Sequence, residues 1–141
     1  MRINRPNLER LVDRAVGELR KRRSDLRRRN AVLLRRLVLD DFDLKSGGGR
    51  GVTGRWRPIS EETIRRKGSK RIGIEHGDLR ASLVVRSEGD LAWSAEFTSE
   101  HAAFFDATRP LLPDGLPDVW DRQISESIVR WGEDVLRGAV E

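Results

Sequence analysis

Apolar residues recur at steps of three and four in the first part of the chain, which is the spacing of an amphipathic helix. The stripe runs from about residue 4 to residue 29, with Asn4 as a possible cap, and it fades after Leu19. Its members are Leu8, Leu11, Val12, Ala15, Val16 and Leu19. A second, wider apolar face covers residues 30–43, and Asn30 is a possible cap or break between the two. The pattern predicts two N-terminal helices, of which the second packs better.

Residues 82–98 alternate between apolar and polar side chains, which is typical of strands with one buried face. Glu88-Gly89-Asp90 supplies a turn between the two halves. The return strand carries one apolar set at alternate positions, formed by Leu91, Trp93, Ala95 and Phe97. The sequence therefore predicts a β-hairpin with one buried and one solvated face.

Three more helices are predicted around this hairpin. A short one lies between Ser60, a good cap, and Gly68, which ends it. Another covers residues 99–106, with Ser99 as its cap, and its expected packing residues are Ala102, Ala103, Phe104 and Phe105. The last runs from about residue 116 to residue 137.

The C-terminal helix has a long apolar face that includes two tryptophans, so we expect it to be buried against the sheet. The face consists of Leu116, Val119, Trp120, Ile124, Ile128, Trp131, Val135 and Leu136. The order of elements predicts an α+β fold, with N-terminal helices, a small antiparallel sheet built on a β-hairpin, and the long C-terminal helix packed on the sheet.

A glycine-rich segment, residues 45–55, divides the predicted elements. It lacks the Gly-Lys-Ser/Thr ending and the preceding strand of a phosphate-binding loop. A flexible linker, or a loop that becomes ordered on assembly, fits it better. We therefore expect an Arg-rich helical arm over residues 1–44, the glycine-rich loop, and an α+β core domain over residues 56–141.

Composition narrows the function classes. The 141 residues are 36% charged and include no Cys and two His, which excludes disulfide scaffolds and thiolate zinc sites. No apolar run reaches the length needed to span a bilayer, and the N-terminus lacks a signal-peptide stretch. We expect a soluble protein, made in the cytoplasm, without membrane partners.

The formal net charge of +5 hides an asymmetry along the chain. Residues 1–80 hold 23 Lys and Arg against 11 Asp and Glu, a net of +12, whereas residues 81–141 hold 5 against 12, a net of −7. The densest basic stretch consists of Arg20, Lys21, Arg22, Arg23, Arg27, Arg28, Arg29, Arg35 and Arg36. Such a stretch is either a solvated helix face, a contact in a head-to-tail ring, or a surface near nucleic acid.

Few residues are candidates for chemistry. Glu100 and His101 are adjacent and point apart on a helix, so we interpret His101 as a packing or interface residue. His76 lies in a Glu75-His76-Gly77-Asp78 segment that resembles an ordinary turn. No serine stands in a nucleophile elbow, and no second acidic cluster completes a two-metal site. We expect no enzyme, no metal and no cofactor.

Nucleic-acid binding is a separate possibility for the basic stretch of residues 20–36. Its arginines could contact several phosphates, with a steep salt dependence. No aromatic residue interleaves them, however, and no helix-turn-helix or finger motif is present. Any such contact would be blind to sequence, and a small sequence-independent nucleic-acid-binding protein stays open as the alternative function.

Residues 54–112 carry an ordered set of short motifs. The first is Gly54-x-Trp56-x-Pro58-Ile59-Ser60-x-x-Thr63-x-x-x-Lys67, and the second is Ile72-x-Ile74-x-x-Gly77-x-Leu79-Arg80-x-Ser82. After the hairpin come His101-Ala102-Ala103-Phe104-Phe105 and Arg109-Pro110-Leu111-Leu112. This set resembles the tail-completion, or virion-morphogenesis, proteins of tailed bacteriophages, which join head and tail.

The resemblance implies a non-enzymatic subunit of the virion neck or tail that forms a homo-oligomeric ring around the DNA channel. Its implied partners are its own copies, other neck and tail proteins such as the connector and tail tube, and packaged DNA by non-specific contact. The residues to which it assigns a structural role are Trp56, Pro58, Ser60, Thr63, Lys67, Gly77, Leu79, Arg80, Ser82, Ala102, Arg109 and Pro110.

Overall fold

A computed structural model of the chain describes residues 6–61, 65, 78–89 and 92–140. Its elements are α1 (Pro6–Lys21), α2 (Arg23–Ser46), β1 (Arg50–Gly51), β2 (Gly54–Arg55), α3 (Asp78–Ala81), β3 (Leu83–Gly89), β4 (Ala92–Phe97), α4 (Ala102–Asp106) and α5 (Asp118–Val140). This order confirms the α+β fold. Most of the helix predicted between Ser60 and Gly68 lies outside the described residues, as do Asn4, Thr63, Lys67, His76 and Gly77.

The first two helices divide at a different place from the one predicted. The break lies at Arg22, whose ψ of 15° departs from helical geometry, and not at Asn30. Asn30 is an interior residue of α2 and is 1% exposed. The helix continues through the basic stretch because Leu26, Asn30 and Leu37 lie on one buried side of it. Within the described residues, neither amide atom of Asn30 has a hydrogen-bond partner.

The predicted hairpin is confirmed. Strands β3 and β4 pair antiparallel, with Leu83 opposite Phe97, and an irregularity lies between Ser87 and Gly89. Burial alternates along β4, because Trp93, Ala95 and Phe97 are more buried than the residues between them. One face of the hairpin therefore packs inward, as the two-residue period predicts.

The main core forms where α2 lies on the hairpin. Phe42 of α2 is fully buried, and its ring meets Trp56 edge-on at 5.1 Å and Phe97 at 5.8 Å between centroids. The buried members of this core are Leu37, Val38, Phe42, Trp56, Leu79, Leu83, Phe97, Ala102, Leu111, Trp120 and Ile124. Residues on both sides of the glycine-rich segment thus share one core.

Helix α5 packs mainly on α1 and α2, whereas the sequence predicted that it packs on the sheet. Its residues Trp120 and Ile124 join the core that holds the hairpin, whereas Trp131 and Val135 form a second cluster with Leu26. These four residues confirm the predicted apolar face. Three other predicted members of the face are exposed: Leu116, Val119 and Leu136.

Helix α4 is shorter than predicted and packs through fewer residues. It begins at Ala102 rather than at Ser99, and it is five residues long. Ala102 is buried and Phe105 is half-buried, but Ala103 is exposed and Phe104 is 87% exposed. Only residues three or four apart share one side of a helix, so a helix this short cannot bury all four apolar residues.

The glycine-rich segment is an ordered hairpin rather than a flexible linker. Strands β1 and β2 pair antiparallel, and Gly48 and Gly54 adopt left-handed φ values of 89° and 98°. The Val52 amide donates a hydrogen bond of 2.7 Å to Asp41 Oδ1 on α2. A Cβ atom on Gly51 would collide with the side chains of Asp41 and Lys45, so glycine allows the close approach.

Candidate interaction surfaces

A buried ion pair ties the C-terminal end of α2 to two distant loops. Lys45 is completely buried, and its Nζ lies 2.8 Å from Asp41 Oδ2, one helical turn earlier. Nζ also donates to Thr53 Oγ1 at 3.1 Å and to the Pro110 carbonyl at 3.0 Å. It lies 4.9 Å from the centroid of the Trp56 ring, where a cation is attracted by the π-electrons. We call Asp41, Lys45, Thr53, Trp56 and Pro110 the Lys45 cluster.

Three residues from the family-like motifs meet at this cluster. Trp56 Nε1 donates a hydrogen bond of 2.7 Å to the carbonyl of Pro110, 54 positions along the chain. Arg109 Nε donates to the Arg57 carbonyl at 2.9 Å, and its guanidinium lies 5.7 Å from the Phe105 ring. The first and last motifs therefore contact each other directly, although about fifty residues separate them.

Other motif residues have structural contacts nearby. Arg80 makes a two-pronged pair with Asp43 of α2, with Nε to Oδ1 at 2.7 Å and Nη2 to Oδ2 at 2.9 Å. Ser82 Oγ donates to the Leu79 carbonyl at 2.7 Å, which closes the turn after α3. Leu79 and Ala102 are buried, whereas Pro58 and Ser60 are exposed. The motif residues outside the described ranges are Thr63, Lys67, Ile72, Ile74 and Gly77.

Two arginine pKa values respond to these surroundings in opposite directions. The hydrogen bond to Asp43 raises the pKa of Arg80, against a smaller opposing effect of burial. Burial lowers the pKa of Arg109, and the positive charge of Arg57 adds to that effect. Both groups stay cationic at neutral pH, so they act as fixed donors and not as proton carriers.

The basic stretch predicted as an interface is mostly on the surface. Eight of its nine residues are exposed, and Arg27 is half-buried. Lys21 and Arg22 lie within 3.5 and 3.7 Å of Glu18. Arg35 connects α2 to β3, because its Nη1 donates a hydrogen bond of 2.7 Å to the Leu83 carbonyl. The basic residues are thus divided between α1 and α2, so a single partner surface would contact only some of them.

A cationic groove runs between α2 and α5. We call it the arginine groove, lined by Arg29, Arg36 and Leu44 of α2, Arg50 of β1, and Gln123 and Arg130 of α5. It consists of two adjoining clefts of about 360 and 580 Å³ that share Arg36 and Gln123. Exposed apolar side chains lie among the cations: Val32 is 64%, Leu44 52% and Val52 40% exposed. The groove therefore combines positive charge with apolar surface.

Negatively charged residues lie around α4. A cleft of about 490 Å³ between β4, α4 and residues 111–114 is lined by Glu96, Asp106 and Asp114. Glu100 lies just before α4, and the 87% exposed Phe104 projects from the helix. We call these four carboxylates and Phe104 the acidic tip.

The expectation that Glu100 and His101 point apart is wrong, because their side chains lie within ion-pair distance. His101 Nε2 is 3.6 Å from Glu100 and 4.0 Å from Asp78, and all three side chains are largely exposed. Across the described ranges, no three potential ligands gather as a metal site would require. Over the same residues, no helix is both long and apolar enough to cross a membrane.

Comparison with known proteins adds no relative: no family model, curated protein or solved structure matches the chain. The evidence for its function therefore comes from its own residues.

The sequence analysis did not identify Asp41 and Lys45, which form the centre of the Lys45 cluster. The signal was available, because an Asp and a Lys four positions apart on an apolar helix face precede a glycine-rich turn.

Proposed function

We propose that the protein is a structural subunit of a tailed-bacteriophage virion, a tail-completion or neck component that forms a ring around the DNA channel at the head-tail junction or tail end. In this role it catalyses no reaction, and its partners are copies of itself, neighbouring neck or tail proteins, and DNA passing through the channel.

One observation carries the proposal: the described residues of the motifs on which the family resemblance depends contact one another or share one core. Trp56 of the first motif donates to Pro110 of the last, and Arg109 donates to the backbone between Trp56 and Pro58. Leu79 and Ala102 of the intervening motifs belong to the same core as Trp56. These contacts support the interpretation of the motifs as parts of one fold.

The distribution of charge also supports a ring. A positive groove and a negative, apolar tip are different surfaces of the same molecule, and contact between unlike surfaces is heterologous. Heterologous contacts close into rings when the rotation between subunits divides a full turn.

The test is to locate the chain in particles. Virions purified from a host that produces the protein are examined by mass spectrometry and by electron microscopy with an antibody against the chain. We expect ring-like density labelled at the neck or tail end, with several copies in each particle. Particles that are complete and infectious without the chain would refute the proposal.

A sequence-independent nucleic-acid-binding protein is the second candidate, and the exposure of Arg20, Arg28 and Arg29 favours it. Filter binding to DNA of unrelated sequences, measured across salt concentrations, tests it. For a phosphate-binding surface, log K falls with log salt with a slope of about −0.9 for each phosphate contacted. Loss of binding in Arg27→Glu/Arg28→Glu, with assembly intact, would favour this candidate over the first.

A further inference from the structure

We propose that the arginine groove is the docking site for the acidic tip of a second copy of this chain, with Phe104 as the residue that enters the groove. The inference rests on the proposed function in one respect, because a ring needs a repeated contact between subunits.

The composition of the groove selects the kind of occupant. The groove holds four cationic side chains, those of Arg29, Arg36, Arg50 and Arg130. Two carboxylates, Asp40 and Glu126, offset part of this charge. The third carboxylate, Asp41, is already paired with Lys45. The groove therefore keeps a net positive charge and attracts an acidic surface. Nucleic acid would satisfy the arginines but would leave the exposed apolar residues in water.

Shape and apolar area point to an inserted side chain. The groove spans about 22 Å from Arg29 to Leu44, at 1.5 Å for each helical residue. Val32, Leu44 and Val52 are exposed along it. A partner that covers them must contribute apolar surface as well as carboxylates, and a phenylalanine buries about 150–250 Å² when it inserts.

The acidic tip has the matching chemistry. Phe104 is the most exposed large apolar residue in the described part of the chain. Glu96, Asp106 and Asp114 line the cleft beside it, and Glu100 precedes its helix. Arg109, the nearest cation along the chain, is engaged with backbone carbonyls. An exposed aromatic side chain on the short helix beside an acidic cleft complements a groove that has apolar surface among arginines.

The two surfaces are distinct, so variants can disable them one at a time. Phe104→Ala removes the anchor and leaves the groove, whereas Arg36→Glu reverses a central charge of the groove and leaves the tip. Both residues are exposed, so neither substitution removes a buried side chain. Val12→Ala and Arg86→Glu are matched controls, because they alter exposed residues of the same kinds outside both surfaces.

The experiment is sedimentation velocity of the full chain over a concentration series at low salt. We expect the wild type and both controls to form species larger than dimers. Each of Phe104→Ala and Arg36→Glu should weaken self-association by about 30-fold or more, as loss of an interface hot spot does. An equimolar mixture of the two variants should form a heterodimer and nothing larger, because only one intact tip and one intact groove can meet.

Circular dichroism and thermal melts establish that the variants are folded. The proposal is overturned if the wild type is monomeric at every concentration, if Phe104→Ala assembles like the wild type, or if the mixed variants stay monomeric. It is also overturned if Arg36→Glu abolishes DNA binding while self-association is unchanged. The outcome is separate from the proposed function: a chain found in virions whose Phe104→Ala form still assembles keeps the function and loses this interface.

Discussion

Replacing Lys45 by methionine tests the energetic role of the Lys45 cluster. Methionine keeps the length and apolar stem of lysine but removes the charge. Asp41 would then be buried without its cation, because its Oδ2 atom has no other partner within the described residues. The carbonyl of Pro110 would lose one of its two donors, and Thr53 would lose its contact.

The expected cost is large relative to the stability of the domain. Removing one partner of a buried ion pair typically costs about 3–5 kcal/mol. A domain of this size is stable by roughly 5–15 kcal/mol, so the variant loses about 30–50% of a mid-range value. With a urea dependence of about 2 kcal/mol per molar, the midpoint should fall by about 2 M.

The assay is urea unfolding followed by tryptophan fluorescence. Lys21→Met is the matched control: its side chain is 76% exposed and lies 3.5 Å from Glu18, so we expect a change within about 0.5 kcal/mol. The double variant Asp41→Asn/Lys45→Met should lose less than the sum of the single variants, because it leaves no unpaired charge. A loss below about 1 kcal/mol for Lys45→Met, or strict additivity in the double variant, would refute the reasoning.

Three further predictions concern single sites and use the same unfolding assay. Asn30→Leu should raise the free energy of unfolding by about 1–3 kcal/mol, because it removes two buried polar atoms without partners in the described chain; destabilisation would contradict this. Gly51→Ala should cost about 1–3 kcal/mol through its collision with α2, whereas Gly17→Ala, in open space on α1, should gain up to about 1 kcal/mol. Arg80 and Asp43 should couple by about 1 kcal/mol or less in a double-mutant cycle, since both are more than a third exposed; a coupling unchanged by 1 M NaCl would contradict a surface pair.

Periodicity predicted the elements best where burial is one-sided and long. The alternation that ends at Phe97 and the stripe from Trp120 to Val135 each have several buried members, so single exceptions do not obscure them. The helix boundary at Arg22 was missed because arginines are good helix formers and continue a helix without an apolar stripe. Asn30 resembled a cap, yet tertiary packing buried it inside α2.

The interaction surfaces could be predicted only in part. Charge asymmetry along the chain is visible in the sequence, and it indicates a cationic and an anionic region. Which arginines face a groove is decided by how α5 lies against α2, and no local pattern specifies that arrangement. Phe104 was expected in the core because it stands among apolar neighbours, but its helix is too short to turn it inward.

The hydrogen bond from the Val52 amide to Asp41 has a consequence for exchange with solvent. A hairpin of two-residue strands on a protein surface ordinarily opens without disturbing its surroundings, so its amides exchange rapidly. Here the acceptor is the Asp41 carboxylate, which is itself held in a buried ion pair with Lys45. Deuterium should therefore enter this one loop amide only as slowly as it enters the middle of α2, and its protection factor becomes a reporter of global opening.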